Sequence, residues 1–241
     1  MSGRILILGH RGYRKKFPEN TILAFTKAIE FGADGFECDI QKSSDGVYFV
    51  LHDMDLFRLT GISGNINSFS ADEIKSMKVG RESIPDLDLF LDALPSGKFI
   101  NIELKEETLT LDDCYILIDK LKERKIDCEI LISSFKHSLL PPFKKAGYKI
   151  GMLYGVGKLR KCTVMHLINL FLKRPWSVNL NINFFTTPQP FLVRVFISAI
   201  KLLRIKFIFW TVNDEAQFNA VKDIAHSIIT DDVEEMVMFR V

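Results

Sequence analysis

Two histidines, three carboxylates and two cations occur in this chain at spacings that suit one reaction. His10-Arg11 follows a short apolar run, Ile5-Leu6-Ile7-Leu8. Glu37 and Asp39 lie two apart within the apolar segment Gly35-Phe36-Glu37-Cys38-Asp39-Ile40. Strand side chains alternate between faces, so both acids face one way and Cys38 the other. Two like charges on one face of an apolar strand need a counter-charge, and a hard cation such as Mg2+ or Ca2+ meets that need. Glu103 and Lys105 repeat the two-residue spacing, and His52 ends a second short apolar segment. Glu37, Asp39 and Glu103 together offer three oxygen ligands, which suits Mg2+ or Ca2+ better than zinc. Arg11 and Lys105 supply the positive charge that phosphate clamping requires. His10 and His52 exchange protons near neutral pH. A metal, two cations and two histidines describe phosphoryl transfer, in which charge stabilisation and positioning do most of the work.

These residues need a scaffold that gathers them. Apolar runs predict strands over 4–9, 35–41, 98–104, 129–134, 149–154, 177–182, 206–212 and 227–230. Helical patterns fill the intervals, over 110–125, 137–146, 160–173, 189–204 and 214–223, with a helix near 86–94 capped by Asp86 and a shorter one near 70–78. Ser44-Asp45-Gly46 is a turn signal, so 47–51 should return antiparallel as a hairpin arm that brings back His52. Eight strands, each but the last followed by a helix or helix-bearing insert, predict a single-domain (β/α)8 TIM barrel over residues 1–241 with a β-hairpin arm after strand two. An open doubly wound sheet is disfavoured because no Gly-rich phosphate loop follows the first strand. Barrel enzymes place their chemistry at the C-terminal ends of the strands. Those ends here carry His10-Arg11, Glu37 and Asp39, Glu103 and Lys105, Ser133-Ser134-Phe135, Tyr154, Trp210-Thr211-Val212-Asn213 and Asp231. Phe135, Tyr154 and Trp210 are candidates for the apolar wall of a substrate pocket.

Composition narrows the field without deciding it. With 32 basic and 30 acidic residues, the balance gives no argument for a nucleic-acid partner. Cys38, Cys114, Cys128 and Cys162 show neither CxxC pairing nor zinc spacing and are read as reduced thiols, which fits the cytoplasm. The apolar run before His10 is too short for a signal-peptide core, and no run reaches the ~18 residues of a membrane span. Segments 161–174 and 191–206 are apolar yet carry Lys and Arg. They read either as barrel helices with thick core faces or as a basic, apolar rim that touches an anionic membrane.

The motifs together resemble the glycerophosphodiester phosphodiesterase family. They are His10-Arg11-Gly12, Pro18-Glu19-Asn20-Thr21, Gly32 to Asp39, Asp45-Gly46, His52-Asp53, Ile102-Glu103-Leu104-Lys105, Ser134-Phe135, Trp210 to Asn213 and Ile229-Thr230-Asp231. The ordered series spans nearly the whole chain and matches compact members without a large inserted cap. The resemblance implies hydrolysis of a small glycerophosphodiester to glycerol 3-phosphate and an alcohol. It implies Glu37, Asp39 and Glu103 as metal ligands, His10 and His52 as acid/base residues, and Arg11 and Lys105 on the phosphate. The chain departs from the family pattern at Ile224-Ala225-His226-Ser227 and at Val233, far in sequence from the ligand residues. Two other readings are a lysophospholipase D-type enzyme acting on membrane lysolipids and a non-catalytic phosphate-ligand binding module. A binding module, however, has no need of both histidines. Oligomeric state is not legible in the sequence.

Overall fold

The computed structural model describes residues 4–155, 164–184 and 191–240. Cys162 and the starts of the helices expected over 160–173 and 189–204 lie outside the described residues. Eight parallel strands form the barrel: β1 (Leu6–His10), β2 (Gly35–Lys42), β3 (Phe99–Leu104), β4 (Glu129–Ser134), β5 (Lys149–Tyr154), β6 (Ser177–Asn181), β7 (Lys206–Trp210) and β8 (Ala225–Thr230). Each pairs with its sequence neighbour, and β1 pairs with both β2 and β8, so the sheet closes without an edge. Helices alternate with them: α1 (Ile22–Glu30), α2 (Leu87–Asp92), α3 (Leu111–Lys122), α4 (Leu140–Lys145), α5 (Val164–Lys173), α6 (Phe191–Leu202), α7 (Glu215–Val221) and α8 (Val233–Phe239).

Two elements differ from the sequence reading. The last strand begins at Ala225 and is followed by a helix of its own, α8. The Asp232 carboxylate accepts the Glu235 amide at the start of that helix, the side-chain cap that an N-terminus needs. Its seven residues span too few turns to signal a helix by periodicity alone.

Strand alternation sorts the β2 side chains. Phe36, Cys38 and Ile40 point outward into the layer between sheet and helices, where Phe36 stacks on Phe25 of α1 at 4.3 Å. Glu37, Asp39 and Gln41 take the opposite face. Gly35 begins the strand because nothing larger fits: a Cβ there would lie 1.7 Å from the Phe99 carbonyl oxygen. Leu8, Phe99, Leu131, Ile208 and Ile229 fill the barrel beneath the polar end. Cys38, Cys114 and Cys128 are free thiols.

The predicted arm is present. β2 pairs antiparallel with a return strand, Tyr48–Val50. Beyond it lies a small lobe with its own core of Phe49, Leu51, Leu56, Ile66, Ile74 and Ile84, together with short helices Phe57–Thr60 and Ala71–Ser76. Asp113 of α3 ties the arm to the barrel. It accepts Lys42 Nζ at 2.7 and 2.8 Å and the Tyr48 hydroxyl at 2.8 Å.

Candidate active site

Register assembles the carboxylates. His10 of β1 lies opposite Glu37 of β2, and Asp39 of β2 lies opposite Glu103 of β3. Glu37, Asp39 and Glu103 are buried, and one oxygen from each falls within 4.8 Å of the others. Lys105 Nζ bridges two of them, 2.7 Å from Glu103 Oε1 and 3.0 Å from Asp39 Oδ1.

Arg11 leaves β1 in the left-handed region (φ 53°), and its amide donates to Glu37 Oε2 at 3.0 Å. Gly12 follows with φ 79°, where a Cβ would strike the Ala24 backbone at 2.6 Å. This tight turn directs the Arg11 guanidinium back toward Glu19 (2.8 Å) and Asp39 (3.5 Å). Asn20 Nδ2 donates to Asp39 Oδ2 at 2.9 Å, so the Pro-Glu-Asn-Thr segment positions the Asp39 carboxylate and Thr21 caps α1.

The two imidazoles are held alike. His10 Nδ1 lies 2.7 Å from Asp231 Oδ1, and His52 Nδ1 lies 2.7 Å from Asp53 Oδ1. Burial disfavours the carboxylate form of Asp231, but the hydrogen bond from His10 and the charges of His10 and Arg14 outweigh it and lower its pKa. Asp53 is lowered in the same way, by Arg58 and His52 against burial. Ionised carboxylates only accept, so each histidine carries its proton on Nδ1 and leaves Nε2 for chemistry. Burial is also the main reason both histidines titrate below their ordinary value, despite the nearby acids. Gln41 Nε2 donates to the His52 carbonyl at 2.7 Å and fixes the end of the arm.

The carboxylates are under-compensated. Burial, then Asp39 and Glu103, push Glu37 well above the ordinary carboxylate range. Burial also pushes Glu103 up to about 7, with Asp39 adding to it and Lys105 opposing. Asp39 is the exception: Lys105, Arg11 and His52 overcome its burial and hold it low. Three buried acids against two buried cations leave a site that a divalent cation would complete, and its all-oxygen donors suit a hard ion.

A cavity of about 210 Å³ opens over this group, lined by His10, Arg11, Glu37, His52, Glu103, Lys105, Phe135 and Trp210 among others. Phe135 and Trp210 meet edge to face at 5.8 Å. Tyr154 does not join them. It faces the helix layer, 5.3 Å from Phe196 of α6, and Leu153 lines the cavity in its place. With Gly151 and Leu153 facing in, alternation turns Tyr154 out. Several participants went unassigned in the sequence reading: Asp231 and Asp53 behind the histidines, Asn101 in the cavity wall, and a Glu19–Arg58–Asp53 bridge. The Thr-Asp ending of the last strand and the acid directly after His52 were the available signals for the first two.

A closed parallel barrel with an acidic cluster, two carboxylate-held imidazoles and two cations at its C-terminal mouth defines a class, a barrel enzyme equipped for an anionic substrate. Residues 10–235 match the model of the glycerophosphoryl diester phosphodiesterase family. The chain belongs to that family and is a phosphoric diester hydrolase acting on glycerophosphodiesters. It is 32% identical to the glycerophosphodiester phosphodiesterase of Caldanaerobacter subterraneus, over 97% of each chain. The crystal structure of a glycerophosphodiester phosphodiesterase from Thermotoga maritima matches with a TM-score of 0.82 at 30% identity, covering 99% of each chain. The barrel also matches an Oleispira antarctica phosphodiesterase crystallised with its product sn-glycerol-3-phosphate. There the TM-score is 0.85 at 22% identity, over 98% of this chain and 96% of that one.

Proposed function

We propose that this barrel hydrolyses small glycerophosphodiesters to glycerol 3-phosphate and an alcohol by histidine acid/base catalysis at a divalent-metal site. The observation that carries the reading is the pair His10 and His52, each held at Nδ1 by a carboxylate and both lining the cavity over one acid cluster. Glu37, Asp39 and Glu103 would hold the metal, with Mg2+ and Ca2+ both suited to three carboxylate oxygens. A bound cation there supplies positive charge to the non-bridging phosphate oxygens.

The chain's own residues do the rest. Arg11 and Lys105 line the cavity and add fixed positive charge at the phosphate. One imidazole takes the proton of the attacking oxygen at Nε2 as the new P–O bond forms. The attacking oxygen belongs to water or to the glycerol 2-hydroxyl. The other imidazole gives a proton to the alcohol oxygen as the old P–O bond breaks. If the 2-hydroxyl attacks first, water opens the cyclic phosphate in a second step with the histidine roles exchanged. Phe135, Leu153 and Trp210 supply apolar wall to the cavity.

The test is incubation with glycerophosphocholine, with and without chelator, assaying glycerol 3-phosphate. Chelator should abolish turnover, and adding back Mg2+ or Ca2+ should restore it. Turnover that survives chelation, or full activity in His10→Ala, would overturn the mechanism.

A further inference from the structure

Charge divides the barrel into two halves. Residues 130–213, which span β4 to β7 apart from the first residue of β4, contain thirteen Lys or Arg and no Asp or Glu. The remainder carries nineteen basic and thirty acidic residues. A net charge near zero therefore conceals a strong dipole. On the acidic half, exposed cations pair with acids, as Lys120 and Arg124 do with Asp88. On the basic half, Arg174, Arg194, Lys201 and Arg204 form no ion pair among the described residues.

The same flank exposes apolar side chains that the core does not need. α6 already buries Val193, Phe196 and Ile200, a complete inward stripe. It nonetheless leaves Phe191 70% and Leu202 80% exposed. α5, packed beside it, leaves Leu172 77% exposed, with Phe171 and Met165 on the surface too. A barrel helix with a full inward face gains nothing from these residues in water, and contiguous exposed apolar surface marks an interaction site.

Large apolar side chains interleaved with unpaired cations match the chemistry of an anionic bilayer surface, where apolar groups enter the acyl boundary and Lys or Arg meet the headgroups. Nucleic acid would use the cations but leave the leucines in water. An acidic protein would have to supply a complementary apolar groove. No helix among the described residues is long and apolar enough to cross a membrane. We propose that the α5–α6 flank docks this enzyme peripherally on anionic lipid membranes. This goes beyond the hydrolytic reading and does not depend on it. The docked flank belongs to the half of the barrel that supplies the cavity's apolar wall, Phe135, Leu153 and Trp210.

The test is flotation of the full chain with vesicles of phosphatidylcholine containing about a third phosphatidylglycerol, against phosphatidylcholine alone. Binding should appear on the anionic vesicles and fall steeply in high salt. The Leu172→Ser/Leu202→Ser variant changes two highly exposed positions and should keep its melting temperature and its turnover of glycerophosphocholine while losing vesicle binding. Lys201→Glu/Arg204→Glu should lower partitioning at least about 25-fold, at roughly fivefold per cation removed. Absence of binding to anionic vesicles overturns the proposal. So does binding that both variants retain, which would place the contact elsewhere. A concentration-dependent dimer that Leu172→Ser/Leu202→Ser abolishes, without flotation of the parent chain, would assign the flank to a second copy and also overturn it.

Discussion

Replacing Asp231 with Asn isolates the orientation of His10 from its presence. Asp231 accepts on both oxygens, His10 Nδ1 at 2.7 Å on one and Asn213 Nδ2 at 3.0 Å on the other, with Arg14 Nε forming an ion pair 3.3 Å from the first. An amide has one acceptor oxygen, so one side must lose. Asn213 cannot turn to accommodate the change, because its own Oδ1 accepts the Asp231 amide at 2.8 Å and the Thr230 hydroxyl at 3.1 Å. The new amide group therefore turns its oxygen to Asn213 and its NH2 to His10. That placement holds His10 Nδ1 unprotonated and moves the proton to Nε2, the wrong tautomer. Losing a charge-assisted hydrogen bond of this kind costs about 1.5–3 kcal/mol, equivalent to roughly a 10- to 150-fold fall in kcat if it acts in the transition state. Asp231 also raises the His10 pKa against burial. Its removal should therefore shift the His10 limb of the pH–rate profile to lower pH, whether His10 serves as acid or as base. The assay is kcat and kcat/KM for glycerophosphocholine from pH 5 to 9, with His10→Ala setting the floor and thermal melting confirming the fold. If Asp231→Asn stays within about twofold of the parent with an unmoved limb while His10→Ala is inactive, the reasoning about orientation is refuted.

Three further outcomes are expected. Asp113→Asn should lower stability by about 2–3 kcal/mol at neutral pH, since it weakens buried, charge-assisted bonds to Lys42 and Tyr48; chemical denaturation reads it. Burial alone would raise the Asp113 pKa, but Lys42, Thr110 and Tyr48 hold it below the ordinary value. Its contribution is thus full above the unfolded carboxylate pKa of about 4 and is lost as pH falls through the lower folded value, so the variant should show a shallower loss of stability below pH 4. Gly35→Ala should prevent folding of the barrel, because a Cβ 1.7 Å from the Phe99 carbonyl meets backbone that cannot move aside, and expression in the soluble fraction reports it. Mg2+ or Ca2+ should raise the melting temperature, by the equivalent of about 2.7 kcal/mol at a hundredfold excess over Kd. The gain should vanish in Glu37→Gln and shrink below pH 7, where Glu103 takes up a proton.

Much of this was legible because a strand converts spacing into direction. Glu37 and Asp39, or Glu103 and Lys105, share a face at any barrel register, and the eightfold alternation of apolar runs specified the scaffold. Tyr154 shows where that logic needs a phase. Its aromatic ring at a strand end suggests a pocket-wall residue, but Gly151 and Leu153 take the inward positions, and neither residue type announces a site. Partners separated by long stretches of chain were harder to read. Asp231 reaches His10 only because β8 closes on β1, and Arg58 reaches Glu19 only because the lobe folds back onto the barrel. Helix α8 escaped detection because its seven residues hold too few turns for periodicity.

The small lobe on the arm has a consequence for how the enzyme fails. His10 and the three carboxylates hang from a closed barrel with one large core, whereas His52 stands at the root of a lobe packed around a separate cluster. Regions with separate, smaller cores open at lower free energy than the whole molecule. Heat should therefore extinguish turnover before circular dichroism registers loss of the barrel, with amide exchange over residues 54–84 rising first. One of the two cavity histidines would have departed while the other was still in place.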